Sequence, residues 1–248
     1  MNTIRQSIQK YLLEKNYNKF TIRSVLYDMD GVLYDSMPNH AFAWVKAMRS
    51  HGFNMSEEEA YSHEGRIGDE TINIISKREG IIINADERKL IYREKTEIFG
   101  SYAEVLPMKG SLNLLRKTTE SGLFAMLVTG SGQPTLLDRL NNDFPDIFIR
   151  KRMITSFDVK RGKPHPEPYL MALQKGHLKP DEAIVIENAP LGIEAACAAG
   201  LFVIAVNTGP LPDSVLIEAG ANILYSSVEA LANEWERLYS QLQVTSNE

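Results

Sequence analysis

Two carboxylates one residue apart, Asp28 and Asp30, end an apolar run and are followed at once by Gly31. Residues 25–27, Val-Leu-Tyr, have the continuous apolar character of a parallel strand covered on both faces. Gly31 permits a tight backbone departure from the strand end. Strand ends of this kind are where open α/β sheets bind ligands. Two acids crowded there repel each other unless a cation shares them or one keeps a proton. The spacing by itself equally fits an ordinary acidic loop after a strand, because so short a motif has many chance matches. Two further apolar runs end in polar groups: residues 123–128 lead into Thr129-Gly130-Ser131-Gly132, and residues 183–186 into Glu187-Asn188. One loop carries Lys163, in Arg161-Gly162-Lys163-Pro164-His165-Pro166-Glu167-Pro168. In a parallel sheet all strand C-termini lie on one edge, so these residues can meet in one crevice. Together they supply acids for a hard cation, hydroxyls and N–H groups for phosphate oxygens, and a lysine for charge. Mg²⁺ suits such a set, because it takes oxygen ligands and keeps waters that a phosphate can replace. Phosphoryl transfer asks for little beyond positioning and charge neutralisation.

The elements that must hold these residues alternate. From Pro107 the pattern is helix 111–120, strand 123–128, helix 136–140, a short strand at 153–154, helix 168–175 closed by Gly176, strand 183–186, helix 191–199, strand 201–206, a last short strand at 221–225 and helix 228–242. Alternation of this type predicts a parallel sheet with right-handed crossovers. Residues 38–104 have a different texture. Phe42, Val45 and Met48 mark one helix, ended by Gly52, with Trp44, Phe42 and Met48 as core. Ser56 followed by Glu57, Glu58 and Glu59 opens another, and 69–77 and 86–99 are two more, Asp69 and Glu70 being charges at a helix start. Only Ile81-Ile82-Ile83 resembles a strand there. A mainly helical insert this long is unusual for a simple connection. Ahead of the first strand, Ile4, Ile8, Tyr11 and Leu12 have helical spacing, with Asn16 and Asn18 at the exit.

A chain of 248 residues with 44% apolar and 24% charged residues suits one large domain or two modest ones. The net charge of −5 argues against a nucleic-acid surface. A single cysteine, Cys197, excludes an intramolecular disulfide and suits a reducing compartment; its run of alanine neighbours reads as packing. No stretch has the apolar length of a signal peptide core or a membrane span. The expectation is a cytoplasmic monomer with neither nucleic-acid nor membrane partners.

The sequence resembles the haloacid dehalogenase superfamily, in its β-phosphoglucomutase-like subgroup. The matching pieces are Asp28-Met29-Asp30-Gly31-Val32-Leu33, Thr129, Gly162-Lys163-Pro164 and Glu187-Asn188-Ala189-Pro190-Leu191-Gly192-Ile193, in the family's order. The wording of residues 128–133, Val-Thr-Gly-Ser-Gly-Gln, and of His63-Glu64-Gly65-Arg66 further resembles a member of the subgroup that hydrolyses inorganic pyrophosphate. The resemblance implies an α/β fold: a Rossmann-like doubly wound parallel sheet core, residues 21–36 and 105–248, with an inserted α-helical cap domain at 37–104 and an N-terminal helical extension at 1–20. It implies that Asp28 is a nucleophile forming an aspartyl phosphate and that Asp30 is the general acid/base. Thr129 would hold a phosphate oxygen, with Gly130 and Ser131 beside it, and Lys163 would pair with Asp28 and the phosphoryl group. Mg²⁺ would be held by Asp28, the backbone carbonyl of Asp30, and Asn188, with Glu187 sharing the task or orienting Lys163. Glu64, Arg66 and His40 would face a small phosphorylated substrate from the cap. Asp35 would cap a helix at the hinge.

There are departures. Many relatives carry an acid where this chain has Asn188, which lowers the charge offered to the metal. The arginine that mutases direct at a sugar's distal phosphate aligns with Gly68, two residues from Arg66. Three readings follow. The first is a Mg²⁺-dependent phosphohydrolase acting on pyrophosphate, then on sugar phosphates. The second is a phosphomutase of the β-phosphoglucomutase type, and the third a non-enzymatic phosphorylatable module, which the large insert disfavours. Ordinary structural readings remain beside these. Glu64 also fits a solvated helix-end charge and His40 a local packing role. His51, His63, His165 and His177 lack metal-like spacing, and the pairs Lys151/Arg152 and Lys160/Arg161 read as solvated.

Overall fold

The strand that carries Asp28 lies inside a six-stranded parallel sheet, and every other element is placed by reference to it. A computed structural model describes residues 4–132, 134–242 and 244–245. Gln133, and residues 1–3, 243 and 246–248 at the ends of the expected extension and core, lie outside the described residues. In chain order the elements are α1 (Ile4–Lys15), β1 (Lys19–Phe20), β2 (Ser24–Tyr27), α2 (Met37–Ser50), α3 (Glu57–Ser62), α4 (Gly68–Arg78), α5 (Ala85–Ser101), α6 (Ser111–Glu120), β3 (Phe124–Val128) and α7 (Pro134–Asp143). They continue with β4 (Met153–Ile154), α8 (Glu167–Gly176), β5 (Ala183–Glu187), α9 (Pro190–Ala198), β6 (Phe202–Val206), α10 (Asp213–Glu218), β7 (Ile223–Tyr225), α11 (Val228–Leu242) and β8 (Val244–Thr245).

The sheet order is β4-β3-β2-β5-β6-β7, and every neighbouring pair is parallel. Side chains alternate across a strand, and the two faces bury separate cores. Val25, Tyr27, Ile184, Ile186, Phe202 and Ile204 point to one face, where Leu12 of α1, Leu115 of α6, Leu140 of α7 and Trp235 of α11 cover them. Leu26, Val185, Val203 and Ala205 point to the other, under Tyr169 and Leu173 of α8, Ile193 of α9 and Leu216 of α10. Covering on both faces is why these strands read as continuous apolar runs.

Helices α2–α5 form the insert between β2 and α6 and pack on a small core of their own around Trp44, Met48, Phe53, Ile72, Ile75 and Ile91. The Ser56 side chain accepts from the Glu59 N–H to start α3, and a reciprocal pairing of Asn84 and Glu87 starts α5. The chain leaves and re-enters the sheet domain at adjacent points. The Asp35 N–H donates to the Leu106 carbonyl at 3.0 Å, and the Met108 N–H to the Leu33 carbonyl at 2.8 Å.

Several sequence expectations are corrected. Residues 81–83 form no strand; they cross from α4 to α5 with Ile82 98% exposed, because no neighbouring strand is there to pair with. The inward face of α2 is Ala41, Trp44 and Met48, whereas Phe42 and Val45 lie to the side and Phe42 stacks on Tyr102. Asp35 does not cap α2. Ser36 holds the cap position, and its hydroxyl turns instead to Asp30. Gly176 is the last residue of α8, and His177 takes the left-handed conformation that ends it. The short pair β1/β8 and helix α10 carry too few residues for periodicity to reveal.

Gly110 shows how tightly α6 seats on α11. Its φ is +90°, and a Cβ there would lie 2.5 Å from the Glu229 Cα. Gly110→Ala is therefore expected to cost roughly 2 kcal/mol or more. A urea titration of the variant should show a lower midpoint at an unchanged slope.

Candidate active site

The C-terminal edge of the sheet gathers its polar residues around Lys163, which has no exposed surface. Asp28 follows β2 directly, and its N–H donates to the Ile186 carbonyl of β5, which fixes where the carboxylate starts. Lys163 Nζ donates to Asp28 Oδ1 at 2.6 Å, to Glu187 Oε1 at 2.6 Å and to the Val128 carbonyl at 3.0 Å. All three ammonium protons are thus accounted for. Glu187 is fully engaged as well. Its Oε1 also accepts from the Tyr169 hydroxyl at 3.1 Å, and its Oε2 accepts from the N–H groups of Asn188 and Ala189 at 2.8 and 3.0 Å. With both oxygens taken, Glu187 positions Lys163 rather than facing the crevice. Burial would lower the Lys163 pKa, but Asp28 and Glu187 outweigh it and hold the ammonium well above its ordinary value. Burial pushes the Asp28 carboxyl up against the pull of Lys163, and Glu187 and Asp30 add to the push.

Asp30 has different surroundings. Its Oδ1 accepts from the Ser36 hydroxyl at 2.6 Å and meets His40 Nε2 at 3.0 Å. His40 Nδ1 in turn meets Lys95 Nζ at 2.7 Å. A neutral imidazole with its proton on Nε2 satisfies the whole line, Lys95 donating to His40 and His40 to Asp30. Burial lowers the His40 pKa and Lys95 lowers it further, which favours that neutral form. Burial alone would raise Asp30, but His40, Ser36 and Lys95 prevail and hold it below the usual carboxylate range. Lys95 sits within 5.3 Å of the Trp44 ring centre and 5.2 Å of the Phe99 ring centre, and burial depresses it to about 7. Its position was signalled in the sequence. Ile91, Lys95 and Phe99 are spaced by four, so Lys95 lies on the buried stripe of α5.

On the other side of the crevice, Thr129 follows β3. The Thr129 hydroxyl oxygen accepts from the Ser131 N–H at 2.9 Å, which leaves the hydroxyl proton to donate elsewhere. Glu64, at the turn after α3, crosses from the insert to the sheet domain: its Oε1 accepts from Asn188 Nδ2 at 2.7 Å. Burial, and then the nearby Asp28, Glu187 and Asp30, hold Glu64 well above the ordinary carboxyl value, against the opposing Asn188 bond. The insert meets the sheet domain tightly at two glycines. A Cβ on Gly130 would collide with the Gly65 carbonyl, and one on Gly162 would meet Ile67. Gly130 therefore serves as a contact surface for the insert. Between the two parts lies a pocket of about 50 Å³ lined by, among others, Asp28, Asp30, His40, Glu64, Arg66 and Thr129, with His63, Trp44, Tyr92 and Lys95 also in the wall. The sequence reading missed the roles of Trp44, Tyr92 and Lys95 here, and placed His63 only within a motif.

A divalent cation fits this donor set. Asn188 Oδ1 is buried with no hydrogen-bond partner, on the amide whose Nδ2 donates to Glu64, and an unpaired buried acceptor is costly without a donor or a cation. Of the four acids here, Asp28 and Glu187 pair with Lys163, and Asp30 faces the line from His40 to Lys95, while Glu64 meets the Asn188 amide. Among the described residues no three His, Cys, Asp or Glu side chains converge as a metal cluster. The ligands that the family resemblance implies, Asp28, the Asn188 amide and the backbone carbonyl of Asp30, would be a hard oxygen set that suits Mg²⁺ with retained waters.

Comparison with known proteins gives these features a family. The model for haloacid dehalogenase-like hydrolases matches residues 25–206. The chain belongs to that family. Hexitol phosphatase A of Escherichia coli is 32% identical over 188 residues, which cover 75% of this chain and 83% of that protein. A phosphorylated carbohydrates phosphatase of Thermotoga maritima is 30% identical over 222 residues, covering 85% of this chain and 97% of its own. Among solved structures, one from Bacteroides vulgatus, provisionally assigned as a β-phosphoglucomutase, superposes with a TM-score of 0.94 at 54% identity, covering 97% of this chain and 98% of that one. The fold of this haloacid dehalogenase-like protein is the Rossmann-like one that the alternating elements imply. The protein is an enzyme of that superfamily.

The Lys95 site carries a pH signature. A lysine depressed to about 7 in the fold binds fewer protons than the unfolded chain between there and its ordinary value, so it makes unfolding free energy rise with pH across that window. Lys95→Met removes the group. Urea midpoints measured from pH 7 to 10 should rise with pH less in this variant than in the wild type.

Proposed function

We propose that this chain is a Mg²⁺-dependent phosphohydrolase working through an aspartyl phosphate, with inorganic pyrophosphate as favoured substrate and small sugar phosphates next. The observation that carries the reading is the Glu64–Asn188 bond, which holds the insert against the sheet domain beside a small, partly open pocket of about 50 Å³. At ~10–15 Å³ per water, that volume holds only a handful of waters. A phosphoryl group and a second small anion suit it better than a hexose does. Arg66 Nε and His63 Nδ1 are buried there with no hydrogen-bond partner, and an anion's oxygens would satisfy the first outright and the second when its proton sits on Nδ1. Sugar phosphates stay in the reading because the named relatives act on phosphorylated carbohydrates.

In the first step the Asp28 carboxylate attacks phosphorus, a P–O bond to the leaving group breaks, and Asp30, carrying the proton it took from water in the preceding turnover, gives that proton to the leaving oxygen. In the second, Asp30, now a carboxylate, takes a proton from water as that water attacks the phosphorus of the aspartyl phosphate, releasing inorganic phosphate and restoring Asp28. Mg²⁺, when bound, neutralises charge on the phosphoryl oxygens and the nucleophile. Lys163 pairs with Asp28 and the phosphoryl group, Thr129 donates its hydroxyl proton to a phosphoryl oxygen, and His40 with Ser36 holds Asp30 toward the reacting oxygen. The hydrogen bonds that keep Asp30 ionised favour the form that activates water. A β-phosphoglucomutase-type activity is the second reading, favoured by the assignment of the 54%-identical structure. There a sugar hydroxyl would replace water, and cap closure would decide which acceptor reaches the intermediate.

With Mg²⁺ present, phosphate release from pyrophosphate should exceed that from hexose phosphates. Conversion of glucose 1-phosphate to glucose 6-phosphate without free phosphate would establish the second reading instead. Asp28→Asn should lower turnover by roughly 10³-fold or more in a variant that a melting curve shows to be still folded, though less stable because Lys163 loses a charged partner. Glu64→Ala should raise the Mg²⁺ concentration for half-maximal activity by about tenfold or more, since it frees the Asn188 amide that presents Oδ1.

A further inference from the structure

Tyr92, on α5, reaches out of the insert and touches the loop after β3. The Gly132 N–H donates to the Tyr92 hydroxyl. Gly132 is tightly enclosed: a Cβ there would lie 2.8 Å from Ser156 Oγ, 3.3 Å from the Phe157 ring and 3.3 Å from the Tyr92 hydroxyl. The Cδ2–Cε2 side of the Tyr92 ring lies against Gly68, the first residue of α4, where a Cβ would collide with those ring carbons. Trp44 supports the ring from behind at 6.1 Å between centres. Tyr92, Trp44, Gly68 and Lys95 are all part of the cavity wall. Two glycines thus make room for one aromatic ring, one on the insert and one on the phosphate-binding loop. A Cβ at Gly68 would force the ring out of its present seat.

The geometry points to Tyr92 as the residue that sets substrate size: its ring, seated on Gly68 and docked by its hydroxyl on Gly132, closes the cavity to anything beyond a small anion next to the transferred phosphoryl group. This inference rests on the phosphohydrolase reading above and adds a specificity-determining residue to it. The ring and the hydroxyl do separable things. The ring fills volume, so its loss admits larger leaving groups. The hydroxyl holds the insert against the phosphate-binding loop, so its loss weakens closure for every substrate alike. A neutral hydrogen bond contributes about 0.5–1.5 kcal/mol, a factor of roughly 2–10 in rate.

The test compares wild type, Tyr92→Phe, Tyr92→Ala and Gly68→Ala with Mg²⁺, using pyrophosphate, a three-carbon phosphate ester and a hexose 6-phosphate, with melting curves to confirm folding. Tyr92→Ala should raise the ratio of kcat/KM for hexose 6-phosphate over the smallest accepted substrate by about tenfold or more. Gly68→Ala, which displaces the ring without removing it, should move the ratio in the same direction. Tyr92→Phe should keep the wild-type ratio while lowering kcat/KM by roughly 2–10-fold for every substrate. A folded Tyr92→Ala enzyme whose ratio stays within about twofold of wild type overturns the inference. So does a Tyr92→Phe ratio that shifts as far as that of Tyr92→Ala. If wild type ignores pyrophosphate, the substrate reading falls instead, and the size ratio is read from the two phosphate esters.

Discussion

The contact on which the rest of the site depends is the buried ammonium of Lys163 between Asp28 and Glu187. A lysine without exposed surface is tolerated only when its charge is matched and every proton is hydrogen-bonded. Here one proton goes to the reacting carboxylate, one to a carboxylate held rigidly by Tyr169 and two backbone N–H groups, and one to a main-chain carbonyl. Removing one member of such a group leaves the others uncompensated, at a cost of about 3–5 kcal/mol. The arrangement therefore ties three strand ends and the loop before α8 together. It also fixes the direction in which Asp28 presents its other oxygen.

The two carboxylates of the opening motif differ because their neighbours differ. Asp28 faces Lys163 and a concentration of other acids, and burial drives it toward the protonated form unless positive charge arrives. Asp30 is turned the other way, toward Ser36 and the line from His40 to Lys95, and these keep it ionised. One residue of separation on a strand end sends the two side chains to different partners. Of those partners, Lys163 comes from the sheet domain, whereas Ser36, His40 and Lys95 come from the hinge and the insert. The charge state of Asp30 thus depends on where the insert sits, while that of Asp28 depends mainly on the sheet domain.

Glu64 couples the two parts a second time. Its bond to Asn188 orients an amide whose oxygen is left without a partner, in a place where an oxygen ligand for a cation is wanted. A neutral amide at this position supplies less charge than an acid would, and a carboxylate from the insert stands next to it. What the amide offers a cation is therefore set by a group from across the crevice, which makes it depend on how the insert sits.

Much of the sheet domain was legible in the sequence because its signals are local. Continuous apolar runs mark doubly covered strands, each ends in the polar residues that the site uses, and the topology of a parallel sheet sends all those ends to one edge. Helices α1, α6 and α11 followed from periodicity for the same reason. The insert was less legible. Isoleucines 81–83 look like a strand yet have no partner strand, and the lysine on the inner stripe of α5 looks like an interruption until His40 is seen beside it. Asp35 looked like a helix cap, but Ser36 occupies that position and spends its hydroxyl on Asp30. The residue types and their order along the chain settled the family chemistry: an acid pair, a hydroxyl, a lysine and an acid-amide pair at successive strand ends. Only the tertiary structure decided which oxygen each donor meets, how little space remains under the insert, and that Tyr92 and Gly132 touch. Those are contacts between segments far apart in the chain, and no local pattern encodes the distance across a crevice.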